Sequence, residues 1–170
     1  MKPLSNIKLF LSDVDGCMTD GGMYYSDHGD EMKRFCVYDG MGMVQLRKAG
    51  IPCGILTSET SEIVARRAKK LNLDFLRMGV GRQVDDVRMT KKEACEQICH
   101  EMGISMDEVC FVGDDINDID LLEAVGVAVC PQNARPEVKA ISGILVMERK
   151  GGDGAIREIC DRILESKTQK

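Results

Sequence analysis

The sequence predicts an α/β protein: a doubly wound parallel sheet with helices on both faces and a β-hairpin inserted after the first strand. Three observations carry this reading. Short apolar runs alternate with amphipathic ones along most of the 170 residues. Three amphipathic runs are followed by glycine (Gly50, Gly103 and Gly126), the residue favoured just past a helix end. One early segment breaks the alternation with two strand-like stretches around a turn.

Strands are expected at 7–12, 51–56, 75–78, 109–112, 127–130 and 144–147. Helices are expected between them at 41–49, 61–71, 91–102, 116–125 and 136–141, with a last one at 155–165. Residues 23–26 and 31–37 read as two strands around Asp27-His28-Gly29-Asp30, a hairpin covering about 22–37 that projects over the carboxyl edge of the sheet. No repeat, linker or low-complexity tract divides the chain, so 1–170 reads as a single domain, with 166–170 as a frayed tail.

A chain of this length buries roughly 70% of its unfolded surface, so it folds without a disulfide or metal staple. The net charge of −5 argues against nucleic acid or an anionic membrane as the main partner. It does not argue against a small anion, because a metal or lysine reverses the sign inside a cleft. The eight cysteines are scattered, none forms a CxxC pair, and only His28 and His100 are available to join them on zinc. Buried, reduced thiols of an intracellular protein are expected instead. The first residues show no leader pattern, and no run approaches the ~20 apolar residues of a membrane span, so a cytoplasmic location is expected.

Open α/β sheets bind ligands outside the carboxyl ends of their strands. Three expected strands end in suitable residues: Asp13-Val14-Asp15-Gly16, Thr57-Ser58, and Gly113-Asp114-Asp115-Ile116-Asn117-Asp118. Asp13 and Asp15 point the same way if the backbone stays extended. Clustered carboxylates repel, and a cation or proton must offset the repulsion. Mg²⁺ suits the set, since it takes oxygen ligands and is commonly held by one or two carboxylates plus a substrate phosphate. Phosphoryl transfer follows from it, with a carboxylate as nucleophile and the metal and a lysine neutralising the equatorial oxygens. Thr57 and the amides near Ser58 offer hydrogen bonds to phosphate, and Lys91 or Lys92 offers the cation. Taken singly, each feature has a plainer reading: Lys91 as a solvated lysine, Thr57 and Gly113-Asp114-Asp115 as caps, Gly151-Gly152-Asp153-Gly154 as a turn. A calcium loop at Asp13 fails, because its fifth and sixth positions fall on Cys17 and Met18. Order and shared placement bind the features together.

The ordered set Asp-Val-Asp-Gly, Ile-Leu-Thr-Ser, Lys91 and Gly-Asp-Asp-Ile-Asn-Asp resembles the four motifs of the haloacid dehalogenase superfamily of phosphohydrolases. Thr19-Asp20-Gly21-Gly22, the hairpin, Phe35-Cys36-Val37-Tyr38-Asp39-Gly40-Met41-Gly42 and the segment from Lys150 to Glu158 resemble its capless branch. That branch holds 3-deoxy-D-manno-octulosonate 8-phosphate phosphatases and the related nonulosonate 9-phosphate phosphatases. The resemblance runs from about residue 7 to 164. It implies a Rossmann-like sheet without a cap domain. It makes Asp13 the nucleophile and Asp15 the acid that protonates the leaving sugar oxygen and then the base that activates water. Mg²⁺ would be held by Asp13, Asp114 and the Asp15 backbone carbonyl. Thr57 would bind phosphate, and Lys91 would steady Asp13 and the phosphate. Asp115 and Asp118 would stand behind them, Asp115 helping to position the lysine. Two departures stand out. Ser58 replaces a usual glycine, and the stretch 79–90 is several residues longer than usual, which leaves Lys92 open as the motif lysine and puts Gly81-Arg82-Gln83-Val84-Asp85-Asp86 near the site entrance.

The resemblance also bears on substrate and assembly. Glu59, with Arg67 and Lys70 on the next helix, is similar to the nonulosonate branch and points to a nine-carbon sugar acid 9-phosphate over an eight-carbon 8-phosphate. The plainer reading of Glu59 is a favourable charge at a helix N-terminus. Hairpins in the family help build a tetramer in which a neighbour's tail completes the pocket. This implies a homotetramer with Arg149 or Lys150 near the substrate carboxylate, and with Gly151, Gly152 and Gly154 letting the tail open and close. Two other functions remain: a phospho-receiver domain, whose motif order differs, and a non-catalytic assembly module like those fused to sialic-acid cytidylyltransferases.

Overall fold

The structure, a computed structural model, describes residues 2–81 and 89–168. In chain order its elements are β1 (Leu9–Ser12), the hairpin strands β2 (Tyr24–Tyr25) and β3 (Glu31–Met32), α1 (Val37–Lys48), β4 (Cys53–Thr57), α2 (Glu62–Leu71) and β5 (Phe75–Met78). There follow α3 (Lys91–Met102), β6 (Val109–Val112), α4 (Ile119–Leu122), β7 (Val127–Cys130), α5 (Pro136–Lys139), β8 (Leu145–Val146) and α6 (Ala155–Thr168). Among the described residues, six strands form one sheet in the order β5-β4-β1-β6-β7-β8, every pair parallel. No cap domain stands over it among those residues.

Side chains alternate across a strand, so each strand feeds two cores. Phe10, Cys110, Val112, Val127 and Val129 pack with α1, α2 and α6 on one face. Leu9, Leu11, Val109, Phe111 and Cys130 pack with α3, α4 and α5 on the other. This double burial is why the strands read as continuous apolar runs. All eight cysteines are free thiols, seven of them buried. Arg47 closes one side of the sheet to α1 with a two-pronged ion pair to Asp74, at 2.7 and 2.8 Å.

Three expectations need correction. The second hairpin strand does not run to 37. Pairing stops at Met32, a single bridge joins Phe35 to Thr19, and Val37 opens α1 four residues ahead of the expected start. Asp39 in the first turn favours that start electrostatically. The segment 116–125 is not one helix: a 3₁₀ turn at Ile116–Asp118 leads into the single turn of α4. Finally, residues 166–168 are not frayed but continue α6, tied down where Lys167 Nζ donates to the Ser5 carbonyl at 3.0 Å.

Candidate active site

The carboxyl ends of β1, β4 and β6 meet at one crevice. Asp13 follows β1, and its N–H still pairs with the Val112 carbonyl at 2.9 Å, so the residue is fixed by the ladder itself. Its Oδ1 accepts the Val14 N–H at 2.7 Å, and its Oδ2 faces Lys91 Nζ at 2.9 Å. Lys91 is the first residue of α3, whose start is set by a reciprocal capping box between Thr90 and Glu93. The lysine side chain is 1% exposed and also meets Asp118 Oδ1 at 2.6 Å. Lys92 lies on the exposed side of the same turn.

Asp118 is the organiser of the β6–α4 turn. While Oδ1 holds Lys91, Oδ2 accepts the N–H groups of Asp114 and Asp115 at 3.0 and 3.4 Å. Asp115 is exposed and its carboxylate caps Ile116 N–H at 2.7 Å. The expectation that Asp115 positions the lysine is therefore corrected: Asp118, three residues on, points inward and does so.

Oxygens of Asp13, Asp114 and Asp118 lie within 4.8 Å of one another. Burial above all pushes Asp13 up to about 7, with Lys91 opposing and Asp118 adding to the rise. Burial and then Asp118 push Asp114 up to about 7 as well. Three carboxylates against one ammonium leave negative charge uncompensated. Asp118 carries Lys91 and two backbone N–H groups, whereas Oδ2 of Asp114 meets no hydrogen-bond donor among the described residues, and the oxygen-rich set fits a hard divalent ion such as Mg²⁺. Cys17 Sγ lies 3.5 Å from Asp114 Oδ1, but burial and the nearby acids hold its pKa well above the ordinary value, so it stays a neutral thiol. Gly16 is required here. A Cβ on it would sit 2.0 Å from Asp114 Oδ2, at a backbone φ of +82°.

Asp15 is not among these three carboxylates and has partners of its own. Its Oδ1 accepts from Lys33 Nζ at 2.7 Å and lies 3.3 Å from Thr19 Oγ1. Thr57, buried at the end of β4, accepts the Glu59 N–H at 3.3 Å. Ser58 Oγ accepts from Asn117 Nδ2 at 3.2 Å, which links the β4 and β6 loops. Gly81 lies against both, since a Cβ there would come within 3.4 Å of Lys91 Cγ and 3.5 Å of Ser58 Oγ. The rest of the long loop, residues 82–88, lies outside the described residues.

The specificity candidates differ in their surroundings. Glu59 is half-buried and Lys70 exposed. Arg67 gives its Nη2 to the Cys36 carbonyl at 3.1 Å and stacks 5.3 Å above the Phe35 ring, at the hairpin's return into α1. Burial holds its pKa below the ordinary value. Lys150 is exposed.

The glycine-rich segment, expected to let the tail open and close, is held here against the loop after β1. Gly151 N–H donates to Asn133 Oδ1 at 2.7 Å, and Gly152 N–H to the Cys17 carbonyl at 3.0 Å. A Cβ on Gly151 would lie 1.8 Å from the Gly16 carbonyl oxygen. Asn133 bridges the two segments, its Nδ2 donating to that same carbonyl at 3.3 Å. Asp39 accepts the N–H groups of Gly154 and Arg157 at 3.3 and 2.8 Å, pinning the start of α6. The sequence alone gives no role to Lys33 or Asn133, nor to Asn117 and Asp39, although these two fall within motifs. The only signal for Lys33 was its place in the polar run Asp30-Glu31-Met32-Lys33-Arg34, which reads as a solvated hairpin edge.

Comparison with known proteins agrees with this geometry. A family model described as haloacid dehalogenase-like hydrolase matches residues 83–159. The 3-deoxy-D-manno-octulosonate 8-phosphate phosphatase of Haemophilus influenzae is 32% identical over 164 residues, covering 96% of this chain and 86% of that protein. The crystal structure of the phosphatase of that name from Moraxella catarrhalis, in complex with magnesium ion, phosphate ion and a KDO molecule, superposes with a TM-score of 0.90. It is 32% identical, and the match covers 98% of this chain and 91% of that one. A putative hydrolase of subfamily III A from Legionella pneumophila, 36% identical, matches with a TM-score of 0.89 over 98% of this chain and 87% of its own. The chain thus belongs to the haloacid dehalogenase-like hydrolases.

Proposed function

We propose that this protein is a Mg²⁺-dependent phosphomonoesterase that hydrolyses a 2-keto-3-deoxy sugar acid phosphate through an aspartyl-phosphate on Asp13. The observation that carries the reading is the buried Lys91, bridging Asp13 and Asp118 at the carboxyl edge of the sheet with Asp114 beside them. Mg²⁺, held by Asp13, Asp114 and the Asp15 backbone carbonyl, would supply charge neutralisation on the phosphoryl oxygens. Asp13 attacks phosphorus as the bond to the sugar oxygen breaks and Asp15 delivers a proton to that oxygen. Water then attacks the acyl phosphate, Asp15 takes its proton, and Asp13 is released with inorganic phosphate. Lys91, Thr57 and the amides around Ser58 bind the equatorial oxygens. Steady phosphate release with Mg²⁺, abolished by a chelator, is the expected result. Phosphate retained on Asp13 would favour a receiver domain, and no phosphorylation at all an assembly module.

The names of the curated relatives support the eight-carbon octulosonate 8-phosphate as substrate. A second reading, a nine-carbon nonulosonate 9-phosphate, rests on Glu59 directly after Ser58. Comparing kcat/KM for the two esters decides between them. A tenfold or greater preference for one excludes the other, and indifference to both removes the sugar acid from the proposal.

Apolar side chains stand exposed on the hairpin (Met23, Tyr24, Tyr25, Met32) and continue onto the start of α1 (Val37, Tyr38, Met41). Exposed apolar side chains on neighbouring segments favour self-association, and a homotetramer built on the hairpins is part of this reading. Light scattering on the purified protein should give four times the chain mass, and a fully active monomer would defeat the idea. No helix among the described residues is long and apolar enough to cross a membrane. The eight free thiols support a cytoplasmic location, which cell fractionation tests.

A further inference from the structure

Asp13 and Asp15 each have a lysine of their own. Lys91 reaches Asp13 at 2.9 Å, and Lys33, just past the hairpin strand β3, reaches Asp15 at 2.7 Å. The Lys33 side chain is 1% exposed. Lysine is seldom buried so fully, and a buried ammonium requires carboxylate partners. Glu31 supplies a second one, its Oε1 lying 3.5 Å from Lys33 Nζ. That oxygen is buried and has no hydrogen-bond partner among the described residues, so the ammonium is the group that faces it. Burial works against the charge on Lys33, but Asp15 and Glu31 outweigh it and hold its pKa above the ordinary value.

Lys33 is the firm donor to Asp15, and Thr19, whose single hydroxyl proton lies between Asp15 Oδ1 and the Val14 carbonyl at 3.3 Å each, is a weaker one at the same oxygen. Lys33 Nζ and Thr19 Oγ1 both lie at Oδ1, and among the described residues no hydrogen bond reaches Oδ2. A carboxylate with one oxygen fixed in this way has a fixed rotamer and one free edge. We infer that Lys33 is a positioning residue for proton transfer: it locks Asp15 through Oδ1, so that the proton given to the sugar oxygen, and later taken from water, travels on Oδ2. This rests on the phosphatase reading above. In the first half-reaction the Oδ2 proton passes to the departing oxygen while the ester P–O bond breaks and the bond from Asp13 to phosphorus forms. In the second, Oδ2 takes a proton from water while the water oxygen bonds to phosphorus and the acyl-phosphate bond breaks. The hairpin thereby contributes to the chemistry from within its own subunit.

The test compares two esters in single turnovers with Mg²⁺: a sugar phosphate, whose alkoxide must be protonated as it leaves, and p-nitrophenyl phosphate, whose phenolate leaves without a proton. In Lys33→Met, leaving-group release from the sugar ester is expected to fall by about 10²-fold or more, and from the aryl ester by less than ~3-fold. Lys33→Gln, which keeps a donor toward Oδ1, should recover much of the sugar-ester rate. A side chain that merely filled space would not separate Met from Gln. An equal fall for both esters, or Gln no better than Met, overturns the inference. Where thermal melting shows that the Lys33 variants do not fold, Thr19→Val carries the test, with a smaller selective loss on the sugar ester expected and none overturning it. A wild-type protein inert toward both esters defeats the phosphatase reading itself, whereas an active wild type with an unchanged ester ratio in the variants defeats only the role of Lys33.

Discussion

Asp13→Asn should abolish phosphate release, lowering turnover by about 10³-fold or more, while leaving the fold intact. An amide has no carboxylate oxygen with which to form an acyl phosphate. The fold survives because the amide oxygen can still accept the Val14 N–H, and Asp118 still faces Lys91 at 2.6 Å. The amide also removes the cost of burying a carboxylate, which above all holds Asp13 up at about 7, and with it the smaller repulsion from Asp118. A phosphate-release assay beside a thermal melt reads both halves. A variant retaining more than a small fraction of wild-type turnover would show that phosphoryl transfer does not pass through this residue.

Asp118→Asn should damage stability and activity together. The substitution removes one partner of a fully buried ion pair and turns an amide N–H₂ or an unmatched carbonyl toward Lys91, a change that costs about 3–5 kcal/mol. It also weakens the anchors on the Asp114 and Asp115 N–H groups, and with them the placement of Asp114. Turnover should fall by about 10²-fold or more through misplacement alone. The control is Asp115→Asn, whose amide still caps Ile116 on the surface and whose effect should stay within about 0.5 kcal/mol. Urea unfolding of the two variants decides the matter. If Asp115→Asn proved the more costly, the inner partner of Lys91 would have been misassigned.

The central strands were legible to the residue. Val109–Val112 and Val127–Cys130 are buried on both faces, and nothing but a short, wholly apolar run satisfies that environment. The start of α1 was not legible, because Phe35-Cys36-Val37 has the side chains of a strand and Gly40 and Gly42 look like helix breakers. Their reason is tertiary: a Cβ on Gly42 would lie 3.0 Å from Cys160 Cβ and 3.2 Å from Arg157 Cα, where α6 crosses α1. The acids of the site could be read because strand ends arrive in order along the chain. Their supports could not be, because the contacts that define them are remote in sequence. Lys33 meets Asp15 across 18 positions, Asp39 meets Gly154 across 115, and Asn133 meets Gly16 across 117. Asp115 and Asp118 differ only in which side of a 3₁₀ turn they occupy, a distinction that composition does not carry.

The clamp of Asn133 and Gly151 on the Gly16 peptide also has a meaning in time. Translation delivers Asp13, Asp15, Lys91, Asp114 and Asp118 well before Gly151, yet the loop that carries Asp15 is closed by the segment made afterwards. Contacts so distant along the chain form late, because the intervening loop must be ordered first. A nascent polypeptide still on the ribosome, or one cut after Met147, would hold every acid of the site and Asn133, while the Cys17 carbonyl lacked the Gly152 N–H and Asn133 Oδ1 the Gly151 N–H. By this geometry the loop that carries Asp15 is completed from the far end of the chain, by the segment that leads into α6.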